Sequence, residues 1–248
     1  MLLRIINREA NRAFLKNYAK MKKTKDSTIK KYWIETPERF SEQYINKFYF
    51  LISPTNIFLR SRRRKVLDLL NDIHGKKVLD VGCGSGILMI DLIKKGAYVV
   101  GVDYSKKMIS IAQKELEYAK ISKSRYQLLK ADARNLSFKN QSFDIILATG
   151  LTDYLPGKGN EKFMREASRV LKKEGKLIIS FPVEKSPVSF LRFGAGLWLR
   201  KTILKLPPIA NKFSLSDIRS LLNKNGLIDV QHLKVFYTMW IIVAKHKN

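Results

Sequence analysis

The residues best placed to do chemistry are Asp80, Gly82, Gly84 and Gly86, set at alternate positions in Val78-Leu-Asp80-Val-Gly82-Cys83-Gly84-Ser85-Gly86, with Asp103 seventeen residues beyond the last glycine. Glycines at this spacing let backbone approach a ligand without Cβ interference, and a helix that follows them points its N–H groups at it. The spacing is not the G-x-G-x-x-G of a dinucleotide turn, and no Gly-Lys-Ser/Thr follows as in a P-loop. Asp80 just before the turn would repel a pyrophosphate and suits a ligand carrying an ammonium group. A carboxylate at Asp103 can accept from both hydroxyls of a ribose; strand-end acids are also common turn and cap residues, and Ser105 is itself a good helix cap.

Strands and helices must alternate to place these groups. Val78–Val81 reads as a buried strand, and Ile87 to Ile93 as a helix-length apolar segment closed by Gly96. Ala97–Val102 is a second strand, followed by a helix over 106–120. Tyr126–Lys130 and Phe143–Ala148 read as the third and fourth strands, each a short apolar run. Phe163, Ala167, Val170 and Leu171 give an amphipathic helix, Lys173-Glu-Gly175 a turn, and Leu177–Phe181 a fifth strand. Ser214-x-x-Asp217 starts a helix ending at Gly226, and Leu227–Val235 and Phe236–Ala244 read as two final strands. Repeated strand–helix units with a terminal strand pair predict an α/β fold.

The D-x-G-x-G-x-G turn resembles motif I of class I S-adenosylmethionine (SAM)-dependent methyltransferases. The resemblance runs over residues ~60–248 through four motifs in order. It implies a Rossmann-like seven-stranded sheet, mostly parallel with a C-terminal antiparallel hairpin, helices on both faces and an N-terminal helical cap. It implies SAM as cofactor. The turn Gly82-Cys83-Gly84 would pass under the amino-acid end of SAM, Asp80 would support its amino group, and Asp103 would hold the ribose. Tyr104 and Met108 would line the nucleoside. Asp132 would accept from the adenine amino group, with the Ala133 backbone N–H facing a ring nitrogen. Thr149, a further cofactor-binding candidate, opens the exit of the fourth strand, Thr149–Pro156, where the family's acceptor approaches the methyl group. Quinone-type members often carry Glu-His there; this chain has Asp153-Tyr154. Tyr154, with Asp153, is the candidate to hydrogen-bond or deprotonate an acceptor hydroxyl, and it serves equally as a turn anchor.

At 248 residues the chain suits an N-terminal segment, 1–59, and a catalytic domain, 60–248, with an insertion at 182–212. The single cysteine, Cys83, excludes a disulfide framework and a Cys-rich metal site, so no metal is expected and a reducing, cytoplasmic setting is. No apolar run approaches the ~18–20 residues of a membrane span, and no signal-peptide pattern opens the sequence. The formal charge is +27. Basic and acidic side chains number 17 and 7 over 1–75, 20 and 11 over 76–183, and 11 and 3 over 184–248, so no single tail carries the excess. A Lys-rich compositional bias, an anionic membrane surface and nucleic acid all fit.

Two stretches sharpen that choice. Leu3, Ile6, Ala10, Ala13, Phe14, Tyr18 and Met21 fall at helical spacing beside the row Arg4, Arg8, Arg12, Lys16, Lys20. Such a helix lies on an anionic membrane, packs on its own protein or serves as an organelle address. Residues 33–59 add aromatic helices suited to a cap. In 182–212, Phe190, Leu191, Phe193, Leu197 and Trp198 mix with Arg192, Arg200 and Lys201. This segment reads as a lid, a membrane contact or plain core packing. The resemblance then implies a small, apolar or lipid-like acceptor (quinone, lipid or tetrapyrrole precursor) for a protein peripheral to the membrane. RNA methylation is the alternative on the charge, and a non-catalytic SAM-binding subunit a third reading. Methylation of a pyrimidine carbon needs a cysteine nucleophile, and Cys83 is committed to the turn.

Overall fold

The computed structural model describes residues 54–155, 158–184 and 211–247. The expectations for residues 1–53, for Pro156 and for nearly all of the 182–212 insertion lie outside them.

Helix α1, Pro54–Asp68, opens on a proline, whose fixed φ and missing N–H suit a first turn. It stops short of the apolar residues Leu70 and Ile73, both 2% exposed, which continue into the core as loop. Its last turn tightens through Leu69 N–H to Val66 O and Leu70 N–H to Leu67 O, both 3.2 Å. Strand β1 (Lys77–Val81) leads through the glycine turn to α2 (Ile87–Lys94) and β2 (Tyr98–Asp103). Next come α3 (Lys106–Tyr118), β3 (Tyr126–Lys130), β4 (Phe143–Ala148) and α4 (Gly159–Val170). Strand β5 (Leu171–Pro182), α5 (Leu215–Lys224), β6 (Leu227–Val235) and β7 (Met239–His246) complete the described chain.

The strands form one seven-stranded sheet in the order β3-β2-β1-β4-β5-β7-β6. Neighbours from β3 to β5 are parallel, whereas β7 runs antiparallel to both β5 and β6. Strand order reverses between β1 and β4, the switch point where open α/β sheets bind ligands beyond the strands' carboxyl ends.

Side-chain alternation along the strands feeds two cores, so both faces are covered. Leu79, Val81, Ile146, Leu177 and Ile179 face a cluster that includes Phe163, Met164 and Ala167 of α4 and Ile218 and Leu222 of α5. Val78, Ile145, Leu147 and Ile178 face the other, with Val66 of α1, Met89 and Leu92 of α2 and Leu116 of α3. Removing fully buried Phe163 to Ala would cost about 3–5 kcal/mol.

Two of the boundaries that differ from the sequence reading are set by strand pairing. The expected Lys173-Glu-Gly175 turn is absorbed into β5, where pairing slips from Phe143↔Leu171 to Ile145↔Lys176. Three polar residues bulge out while the ladder resumes, which local turn propensity cannot reveal. The last strand begins at Met239, because Phe236, Tyr237 and Thr238 form the hairpin turn. No helix among the described residues is long and apolar enough to cross a membrane.

Candidate active site

The glycine turn is built by the ends of β1 and β2. Gly82 and Cys83 N–H groups both donate to Val102 O, at 2.8 and 3.0 Å, which folds the turn over the end of β2. Gly84 N–H donates to Asp103 Oδ2 at 3.1 Å, and Ser105 N–H to Asp103 Oδ1 at 2.9 Å. Asp103 therefore fixes the turn from the neighbouring strand end. Gly86 caps α2 in the left-handed region, φ 77°; a Cβ there would also come within 3.0 Å of Ala112 Cβ, so α3 can pack this close only to glycine. Ser105 caps α3 by accepting from Met108 N–H at 3.3 Å. That turn directs Met108 back over the loop, with its Cε 3.4 Å from where a Gly84 Cβ would stand.

Electrostatics set the site apart from the rest of the sheet. Asp80 is 2% exposed. Its pKa is pushed from 3.8 up to about 7 by burial first and the Asp103 carboxylate second, against the pull of Arg62. Burial also raises Asp103, opposed by the N–H groups of Ser105, Gly84 and Tyr104. Two neighbouring carboxylates held out of water favour a cation or hydroxyl donors beside them. Burial, then Asp103 and Asp80, pushes the Cys83 thiol well above its ordinary value. Cys83 is thus a buried thiol, not a nucleophile.

The remaining sequence candidates line the same edge. Asp132 follows β3, one strand beyond Asp103, and both its oxygens accept from Arg134, Oδ1 from Nε at 2.9 Å and Oδ2 from Nη2 at 2.6 Å. An adenine amino group would share a carboxylate that Arg134 already orients. Ala133 is buried in the core cluster. Tyr104 is the first residue past β2, and Thr149, partly buried, the first past β4. Asp153 is 3% exposed. Tyr154 N–H closes a turn on Leu151 O at 3.0 Å, and Leu151 itself packs against Gly82. The acceptor-side turn thereby leans on the cofactor-side turn.

Sequence reasoning missed four residues that hold this arrangement. Arg62 of α1 lies against Gly150 so tightly that a Cβ there would fall 2.7 Å from Nη1. Ser180 at the end of β5 accepts from Gly150 N–H at 2.8 Å through Oγ, and its carbonyl accepts from Thr152 Oγ1 at 2.6 Å. Asn160 and Asn211 each donate through Nδ2 to both Thr152 O and Leu155 O. Only Arg62 had a signal, the Arg60–Lys65 basic run, and that run does not single it out.

This strand order, a glycine turn at the switch point and acids at the ends of β1 and β2 are the arrangement that the resemblance to class I SAM-dependent methyltransferases implies. Residues 78–175 match the model of the methyltransferase domain family. It is 33% identical over 139 residues to a demethylmenaquinone methyltransferase of Thermotoga maritima, covering 55% of each chain. It is 35% identical over 118 residues to a ubiquinone biosynthesis O-methyltransferase of Coxiella burnetii, covering 48% of each. The matches thus span about half the length of these curated relatives. Among solved structures, magnesium protoporphyrin IX methyltransferase from Synechocystis PCC 6803 with bound SAH superposes with a TM-score of 0.72 at 22% identity. That match covers 89% of this chain and 99% of that one, and shows the shared fold.

The site fits SAM on its own geometry. The buried carboxylate pair suits the cationic end, and the space where a Gly84 Cβ would stand is bordered within 4 Å only by Met108 Cε.

Proposed function

We propose that this protein transfers the methyl group of SAM to a small, apolar acceptor of the quinone or tetrapyrrole-precursor kind, close to a membrane surface. The observation that carries the cofactor half is the left-handed glycine turn bonded to Asp103 through Gly84. Support for the acceptor half comes from relatives named for quinone precursors and a fold neighbour named for a porphyrin.

SAM, when bound, supplies a methyl group on a sulfonium, activated for displacement by a nucleophile. The chain's own work is then binding, orientation and exclusion of water. Asp80 would hold the ammonium end and Asp103 the ribose hydroxyls, Tyr104 and Met108 would line the nucleoside, and Asp132 and the Ala133 N–H would meet the adenine. Arg62, brought to Gly150 by α1, adds positive charge for a carboxylate beside Asp80. Asp153 and Tyr154 lie on the turn beyond β4, and Tyr154 is the group proposed to orient or deprotonate an acceptor hydroxyl.

The test is to incubate the protein with methyl-labelled SAM and a lysate of its source, then partition the label. Label in the organic phase supports this reading. Label in RNA would replace it with the nucleic-acid reading that the +27 charge motivates. SAM binding without any transfer would make the chain a cofactor-binding subunit.

A further inference from the structure

The turn joining β6 to β7 is built from residues that such a turn disfavours. Thr238 N–H closes it on Val235 O at 3.1 Å. The two central residues are Phe236 and Tyr237, with φ of 47° and 55°. Tight hairpins with both central residues in the left-handed region favour Asn-Gly, because a side chain there strains the backbone. Two aromatics occupy these positions, and neither is spent on the core: Phe236 is 50% exposed and Tyr237 66%.

The tip stands at a telling place. Pairing of Pro182 with Met239 puts it beyond the C-terminal end of β5, the same sheet edge as the glycine turn. Val183 N–H donates to Thr238 O at 3.0 Å, tying it to the chain that enters the 185–210 stretch. The Phe58 ring lies 6.3 Å from that of Phe236, which brings α1 alongside.

The charges around it are cationic. Helix α1 carries Arg60, Arg62, Arg63, Arg64 and Lys65, and its one acid, Asp68, is at the far end. Arg63 is paired with Asp91, and Arg64 and Lys65 are exposed. On β6, Lys234 is exposed beside the tip, its Nζ 4.4 Å from the Trp240 ring centroid. The strand's one acid, Asp229, pairs across from Ala244 at the other end and is bonded by Arg219 and His232. The nearer acid, Glu184, is accompanied by the Lys212 charge.

We propose that the Phe236-Tyr237 tip, with Lys234 and the exposed cations of α1, docks the protein on an anionic lipid bilayer with the cofactor edge of the sheet facing it. A two-residue convex tip cannot supply the roughly 1,200–2,000 Å² that stable protein interfaces bury. It does suit the headgroup layer, where aromatic rings partition and neighbouring Lys and Arg meet anionic lipid. The use of such docking rests on the apolar-acceptor reading above; the docking itself is measured without it.

The test is co-sedimentation of the full chain with phosphatidylcholine vesicles, with and without phosphatidylglycerol. The wild type binds the anionic vesicles and not the neutral ones. The paired variant Phe236→Asn/Tyr237→Gly, which gives the turn its favoured residues, keeps or raises thermal stability and keeps SAM affinity. Its partition onto anionic vesicles falls roughly tenfold or more. The pair Phe236→Trp/Tyr237→Trp, equally strained, partitions at least as well as wild type. No wild-type binding to anionic vesicles overturns the proposal, as does equal partition by the Asn/Gly and Trp/Trp pairs. SAM binding and methyl transfer measured without vesicles report on the methyltransferase reading separately, so the failure of either idea is recognisable.

Discussion

Asp80 is the residue whose chemistry departs furthest from its sequence neighbours. A carboxyl raised from 3.8 to about 7 stays protonated in the fold where the unfolded chain has already released its proton. The folded state then binds more protons, so the Asp80 contribution to stability is full below pH 4. It is lost as pH rises to about 7, by on the order of 4 kcal/mol. Asp144, Glu166 and Asp217 are lowered and act in the opposite sense, losing stability as pH falls. The comparison with Asp80→Asn isolates the one group: without SAM, the variant gains on wild type between pH 5 and pH 8 in denaturant melts. A constant difference across that range would mean that Asp80 ionises freely. Asp103 is tested by affinity. Asp103→Ala removes the proposed ribose acceptor and the Gly84 partner together, and SAM binding by calorimetry is expected to fall about a hundredfold, about 3 kcal/mol. Unchanged affinity would remove Asp103 from the cofactor site.

At the scale of elements, the turn beyond β4 depends on partners far away in sequence. Asn160 and Asn211 both serve the carbonyls of Thr152 and Leu155. Each single change to Ala therefore costs about 1 kcal/mol, because the other asparagine remains. The double variant costs more than the two singles added, and a double-mutant cycle in urea reads the excess. Strict additivity would show that the two act independently. This turn also marks where the sequence stopped being legible. The glycine turn, Asp103 and the Ser105 and Ser214 caps were readable because each is written within a few residues, and the structure bears out both caps. Ser180, Asn160, Asn211 and Arg62 were not, since their roles come from strand order and helix docking, which no local period encodes. The β5 bulge and the Phe236-Tyr237 turn were misread for a related reason: tertiary pairing overrode local propensity, moving a turn into a strand and a strand's start into a turn.

For the molecule as a whole, the +27 charge has a consequence that local contacts do not cancel. The described ion pairs include Arg169 with Glu166, Lys172 with Asp144 and Arg219 with Asp229, in each of which the acid is less exposed than the base. An exposed pair contributes about 0.2–1 kcal/mol, and salt weakens it. Like-charge repulsion spread over the whole chain opposes the compact state, and salt weakens that too, because the Debye length shrinks from about 30 Å at 0.01 M to about 10 Å at 0.1 M. The two effects of salt have opposite signs, so the direction of the melting shift decides which dominates. With 48 basic against 21 acidic side chains, repulsion dominates. Raising sodium chloride from low to physiological ionic strength should raise Tm by several degrees, since about 1 kcal/mol moves a chain of this size by about 2–4 °C. A fall in Tm would mean that the paired arginines and lysines outweigh the excess. An anionic surface would then bring no general electrostatic relief to the fold, and the local charges of α1 and Lys234 would have to carry its attraction alone.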